Sequence, residues 1–162
     1  GQGLSVAAGL ALGARLTGRD WRTFCITGDG ELDEGQIWEA AMSAAHHRLG
    51  NLTLLIDNNR LQIDGRCEEV LDLGSIEDKF RAFGWRVITT DGHHHPSVES
   101  ALIMAGENSS RPLAIVLSTV KGRGVSFMEN EAGWHGRAPD MEQAKSAIRE
   151  LGFEWGELGG VS

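Results

Sequence analysis

The chain has 162 residues, 41% of them hydrophobic, and a formal net charge of −8 at pH 7. That size and composition can bury one core of ordinary domain dimensions, so a single domain spanning 1–162 is expected. An acidic chain without clustered Lys and Arg lacks the electrostatic footprint that nucleic acid and anionic lipid require, which argues against both as partners.

No run approaches the about 18 consecutive apolar residues of a membrane span, and the start has no secretory pattern of charge followed by an apolar segment. Cys25 sits in the apolar run "RTFCITG" and Cys67 in a polar stretch. Two such thiols suit a reduced state rather than a disulfide framework, and a cytoplasmic setting is expected. The chain opens on "GQG" without Met and passes straight into a helix pattern, which predicts a piece of a longer protein.

In chain order, residues 4–17 read as a buried helix rich in Ala, Leu and Gly, ended by Gly18. Four short apolar runs follow, "TFCIT", "LTLLI", "WRVIT" and "LAIVL", too uniformly apolar for strands with one face in water. They are expected to be buried parallel strands. Between them lie "DEGQIWEAAMSAAHHRL", "SIEDKFRAFG" and "PSVESALIMAGEN", each with helical spacing and an Asp, Ser or Pro near its start. Alternating strands and helices predict an α/β fold, an open parallel sheet with helices on both faces. After Lys121 comes a Gly-rich polar loop, then a final helix over 141–151.

In such sheets ligands bind at the carboxyl ends of the strands, where "TGDGE" and "DNNRLQIDG" both fall. Glycines around Asp29 let the backbone turn sharply and leave amides open to an anion, with the next helix N-terminus adding positive potential. A carboxylate beside a phosphate repels it unless a divalent cation lies between them. One carboxylate, amide and carbonyl oxygens, water and substrate phosphate make the set that Mg²⁺ prefers. Asn58 or Asn59 would supply the amide. The plainer alternatives are a Gly-Asp-Gly turn and a pair of turn-forming asparagines.

Gly28-Asp29-Gly30 followed, after one helix, by Asn58-Asn59 resembles the thiamine diphosphate fingerprint. "IDNNRLQIDG", "FRAFGWRVITTDGHH" and "KGRGVSFMENEAGWHGRAP" are similar, in order, to successive segments of transketolase from Gly1 to about Leu151. The resemblance is strongest to N-terminal subunits of split transketolases. "GQIWEA" with "NNR" also resembles the α subunit of 2-oxo acid dehydrogenases, but Ile63-Asp64-Gly65 favours transketolase.

The resemblance implies a thiamine diphosphate cofactor with Mg²⁺, for which Ca²⁺ or Mn²⁺ can substitute. Asp29 matches the metal carboxylate, Asn59 the amide ligand and Leu61 the carbonyl ligand. Gly28 opens the fingerprint, and Gly30 matches the glycine whose amide meets the diphosphate. Asp57 matches an acid near the thiazolium. Glu34 matches a glutamate at the subunit interface, the alternative being a first-turn acid favoured by the helix dipole. His135 matches a histidine that touches the diphosphate and the reacting carbonyl.

The implied activity is two-carbon ketol transfer from a ketose phosphate to an aldose in pentose phosphate and other carbohydrate metabolism. The implied partner is a pyrimidine-binding C-terminal subunit or domain, giving a dimer or heterotetramer that acts on sugar phosphates; without it the chain is expected to be inert. A non-catalytic domain that kept the fold is a further alternative. A nucleotide-binding Rossmann domain is weaker, because no Gly-x-Gly-x-x-Gly follows the strands. His93, His94 and His95 lack zinc-ligand spacing and are read as a turn, and His46-His47 as a helix end.

Overall fold

The computed structural model describes residues 1–107 and 109–155. Its elements are α1 (Gly3–Leu16), β1 (Thr23–Gly28), a 3₁₀ turn (Gly30–Asp33), α2 (Gly35–His46), β2 (Leu52–Asn58), β3 (Leu61–Gln62), β4 (Gly65–Arg66), α3 (Cys67–Val70), α4 (Ile76–Ala82), β5 (Arg86–Asp91), α5 (His95–Ala105), β6 (Leu113–Ser118), a second 3₁₀ turn (Ala132–Trp134) and α6 (Met141–Glu150). The predicted end of α5 at Asn108 and the stretch 156–162 lie outside the described residues.

Local chemistry sets several boundaries. After α1 the chain turns at Gly18, whose φ of +67° a residue with a Cβ adopts only with strain. Ser75 caps α4 by accepting from the Asp78 N–H at 3.1 Å. Asp140 and Gln143 close a reciprocal capping box at the start of α6. His46 is the last residue of α2 and His47 its C-cap, as expected.

The main sheet has four strands in the order β1-β2-β6-β5, and all neighbours run parallel. Side chains alternate between its faces. On one face Cys25, Leu52, Leu54, Ile56, Ala114 and Val116 pack against α1, α2 and Phe80 of α4. On the other, Leu113 and Ile115 meet Ala101 and Ala105 of α5. Helices therefore flank both faces.

The expectation of uniformly buried strands holds for the two central ones, β2 and β6. It fails for both edge strands: no residue of β5 is buried, and in β1 Phe24 is 49% and Ile26 72% exposed. The reason is topological. An edge strand has a neighbour on one side only, and among the described residues the helix packed on that face, α5, meets Leu113 and Ile115 of β6, far from β1. Composition along a strand cannot reveal its rank in the sheet.

Behind β5 the core is aromatic. Phe80 lies 5.3 Å from both Trp38 and Trp85, centroid to centroid, and the Trp85 indole donates to the Ala41 carbonyl at 2.9 Å. Fully burying such rings is the largest apolar contribution a side chain can make. This cluster fixes α4 against α2, and with it the path by which the chain leaves the tip of β2.

Candidate functional site

The strands end in register. Gly28 pairs with Asp57, Asp57 with Leu117, and Leu117 with Thr90, so one edge of the sheet gathers the residues that follow each strand. The Asp29 N–H donates to the Asp57 carbonyl at 3.1 Å, which ties the first two tips together.

Asp29 is only 4% exposed. Its Oδ1 accepts from the Gly30 N–H at 3.0 Å and its Oδ2 from the Arg60 N–H at 2.5 Å. Arg60 reaches this position with φ of +63°, an uncommon conformation for a residue with a Cβ and one that costs about 1 kcal/mol or more. The Cys67 thiol faces the Asp29 carboxylate and favours its charged form. Burial pushes the Asp29 carboxyl above its ordinary range despite these bonds, and the nearby Asp57 charge adds to the shift. The Cys67 thiol is in turn pushed up to about 12, by its own burial first and then by Asp29 and Asp33.

At the tip of β2, the Asn59 amide nitrogen donates to Asp57 Oδ2 at 3.1 Å, and its oxygen accepts from the Leu61 N–H at 2.9 Å. The Thr119 hydroxyl, just past β6, donates to Asp57 Oδ1. Asp57 is thus held from two sides.

Gly28, Asp29, Gly30, Glu34, Asp57, Asn59, Leu61 and His135 all line one cavity of about 460 Å³. Asn58 lines a neighbouring cavity of about 350 Å³ with Asp29, Arg60 and Cys67. Lys121 also reaches the larger cavity, its Nζ 3.4 Å from His135 Nδ1. The loop after β6 therefore contributes a cationic corner to a cavity otherwise rich in carboxylates.

Three local features differ from the sequence reading. The Gly-Asp-Gly turn enters a 3₁₀ turn, Gly30–Asp33, before α2 begins at Gly35. The flanking amides are engaged, with the Gly28 N–H donating to Glu31 Oε2 at 3.0 Å and the Gly30 N–H to Asp29. Residues 61–66 fold back as a small antiparallel hairpin of β3 and β4, for which Asp64-Gly65, with Gly65 at φ +136°, was the available signal. The hairpin seats Gln62 beneath Gly30, where an added Cβ would come within 2.7 Å of Gln62 Cβ. Gln62, Cys67 and Thr119 carry no local motif that marks them; only the fold brings them here.

The residues fit a divalent cation and a diphosphate. A buried carboxylate under strain from its own desolvation, beside an amide and a backbone chain crossing at Leu61, is a set of hard oxygen donors of the kind Mg²⁺ takes. Among the described residues no three His, Cys, Asp or Glu side chains come together as a metal cluster. His93 and His94 lie in the turn before α5, and His95 begins it.

Comparison with known proteins gives a concordant result. The family model for the transketolase thiamine diphosphate binding domain matches residues 1–158. The 6-deoxy-6-sulfo-D-fructose transketolase subunit SqwG of Clostridium sp. is 44% identical over 93% of this chain and 55% of its own length. An apulose-4-phosphate transketolase subunit from Phocaeicola vulgatus is 41% identical over 93% of this chain and 54% of its own. The chain spans about half the length of these curated relatives. The crystal structure of transketolase from Campylobacter jejuni superposes with a TM-score of 0.89 at 30% identity, covering 95% of this chain and 25% of that one. Sequence and fold agree, and the chain belongs to the transketolase family through its thiamine diphosphate binding domain.

Proposed function

We propose that this chain is the diphosphate- and Mg²⁺-binding half of a transketolase that moves a two-carbon ketol unit from a ketose phosphate to an aldose. The observation that carries the reading is the buried Asp29 carboxylate sharing one cavity with Asn59, Leu61, Gly30 and His135 at the carboxyl edge of the sheet. Asp29, Asn59 and the Leu61 carbonyl would hold the cation, with Ca²⁺ or Mn²⁺ as substitutes. Thiamine diphosphate, when bound, supplies the electron sink that lets the bond beside a ketose carbonyl break.

The chain's own residues bind and orient. Gly30 lets Gln62 pack against the turn that carries Asp29, and Lys121 with His135 offers positive charge and donors to a diphosphate or a substrate oxygen. Glu34 is exposed at the cavity mouth, where a second subunit can meet it. The family's pyrimidine-binding domain would complete the site, which makes the active species a dimer or heterotetramer. The relatives' names pair a sulfo sugar and a sugar phosphate with the word subunit; both support an anionic sugar substrate and a separate partner chain. A cytoplasmic place in carbohydrate metabolism follows from this reading. No described helix is long and apolar enough to cross a membrane.

Calorimetry of thiamine diphosphate and Mg²⁺ with the chain and its pyrimidine-binding partner should show binding that Asp29→Ala abolishes. Equal binding by the variant would refute the proposal. Turnover of xylulose 5-phosphate, rather than pyruvate, by the paired chains separates transketolase from a 2-oxo acid dehydrogenase. A complex indifferent to metal and cofactor would instead mark a non-catalytic domain.

A further inference from the structure

Three strand tips contribute to the cavity directly, and the fourth, at β5, does not. β6 runs into the loop that carries both Lys121 and His135. Where that loop leaves the sheet, the Thr119 N–H donates to the Asn58 carbonyl at 3.3 Å and the Thr119 hydroxyl to Asp57, both on the β2 side. The next amide turns to the other side. The Val120 N–H donates to the Nε2 of His93, just past β5, at 2.7 Å.

This contact is built. The His93 N–H donates to Asp91 Oδ1 at 2.8 Å, which sets the turn, and the Gly92 N–H donates to the Ser118 carbonyl at 2.9 Å. Gly92 sits so close to the loop that a Cβ there would lie 2.5 Å from Thr119 Cγ2 and 3.1 Å from Leu117 Cβ. Only glycine allows the β5 turn to press against the root of the loop. A ring nitrogen that accepts from an amide carries no hydrogen, so this contact assigns the acceptor role to Nε2 and the ring N–H to Nδ1. Lys121 follows Val120 directly, its carbonyl accepts from the Asn130 N–H at 2.9 Å, and its Nζ lies against His135.

We propose that His93 is a positioning residue: by accepting from the Val120 N–H it clamps the root of the β6 loop and so fixes Lys121 and His135 over the cavity, without touching cofactor or substrate itself. The role rests on the reading of the cavity as the diphosphate site. Loss of the acceptor leaves a half-buried N–H without a partner, a penalty that loosens the loop rather than the core.

The test uses the chain assembled with its pyrimidine-binding partner and compares wild type, His93→Leu and His93→Gln. Gln can present an oxygen where Nε2 stood; Leu cannot. Amide hydrogen exchange over 119–136 should quicken about tenfold in His93→Leu, with a matching loss of thiamine diphosphate affinity in Mg²⁺ and an unchanged urea midpoint. His93→Gln should restore both to within about twofold.

Wild-type exchange rates in the Leu variant, or Gln behaving as Leu, would overturn the proposal. Nitrogen-15 NMR of the wild type gives a check that needs no variant, since a proton found on Nε2 of His93 at pH 7 also overturns it. Failure of the wild type to bind thiamine diphosphate would refute the reading of the cavity instead, and the exchange result would still decide the clamp.

Discussion

At the scale of the residue, Asp29 is a charge placed where a charge is costly. Its carboxyl is raised above its ordinary value because burial outweighs the amides of Arg60 and Gly30. For a raised acid the native state holds its proton to higher pH than the unfolded chain, so stability falls as pH rises through that window. Without metal, Asp29→Asn should therefore gain on wild type, in the difference of their urea unfolding free energies, as pH climbs from about 4 toward 7. A cation bound at Asp29 should erase the difference.

The neighbouring thiol offers an independent probe. With Cys67 pushed up to about 12, its thiolate is scarce at pH 8, and the greater nucleophilicity of a basic thiolate recovers only part of the loss. Alkylation by iodoacetamide should run on the order of 30-fold slower than for a free cysteine. Asp29→Asn should quicken it by removing the nearby charge.

The elements hold these residues by packing more than by local preference. Phe80, fully buried between Trp38 and Trp85, should cost about 3–5 kcal/mol when cut to Ala, measured by urea unfolding. The backbone also has tight points. At Gly50, between α2 and β2, an added Cβ would lie 1.6 Å from the Ser109 carbonyl oxygen. Gly50→Ala should destabilise by more than about 3 kcal/mol, because backbone rather than a flexible side chain must move.

The elements are also where sequence reading reached furthest. All four main strands and the longer helices were legible, since buried apolar runs and helical spacing both report burial. The hairpin of β3 and β4 was not. Two-residue strands bury nothing that a hydrophobic pattern could register, and the Asp64-Gly65 turn signal is short. The 3₁₀ turn at Gly30–Asp33 escaped for the same reason.

At the scale of the molecule, the cavity opens at one edge of the sheet. Lys121 and His135 reach it on a loop, while Glu34 stands exposed at its rim. The proposed function gives that open edge to a second domain. The chain assembled with a pyrimidine-binding partner should show ketol transfer from xylulose 5-phosphate, and the chain alone should show none in the same assay.

The amino-acid sequence alone determined the α/β class, the order of its strands and helices, and the residues of the Asp29 and Asn59 motifs. Periodicity and short-range turn chemistry are local properties, written in neighbouring residues. The tertiary structure alone decided which strand lies at the edge and that Cys67, Gln62 and Thr119 lie against the residues of the cavity and His93 against the loop after β6. Those contacts join residues far apart in the chain, and they exist only once parallel strands bring their carboxyl ends into register.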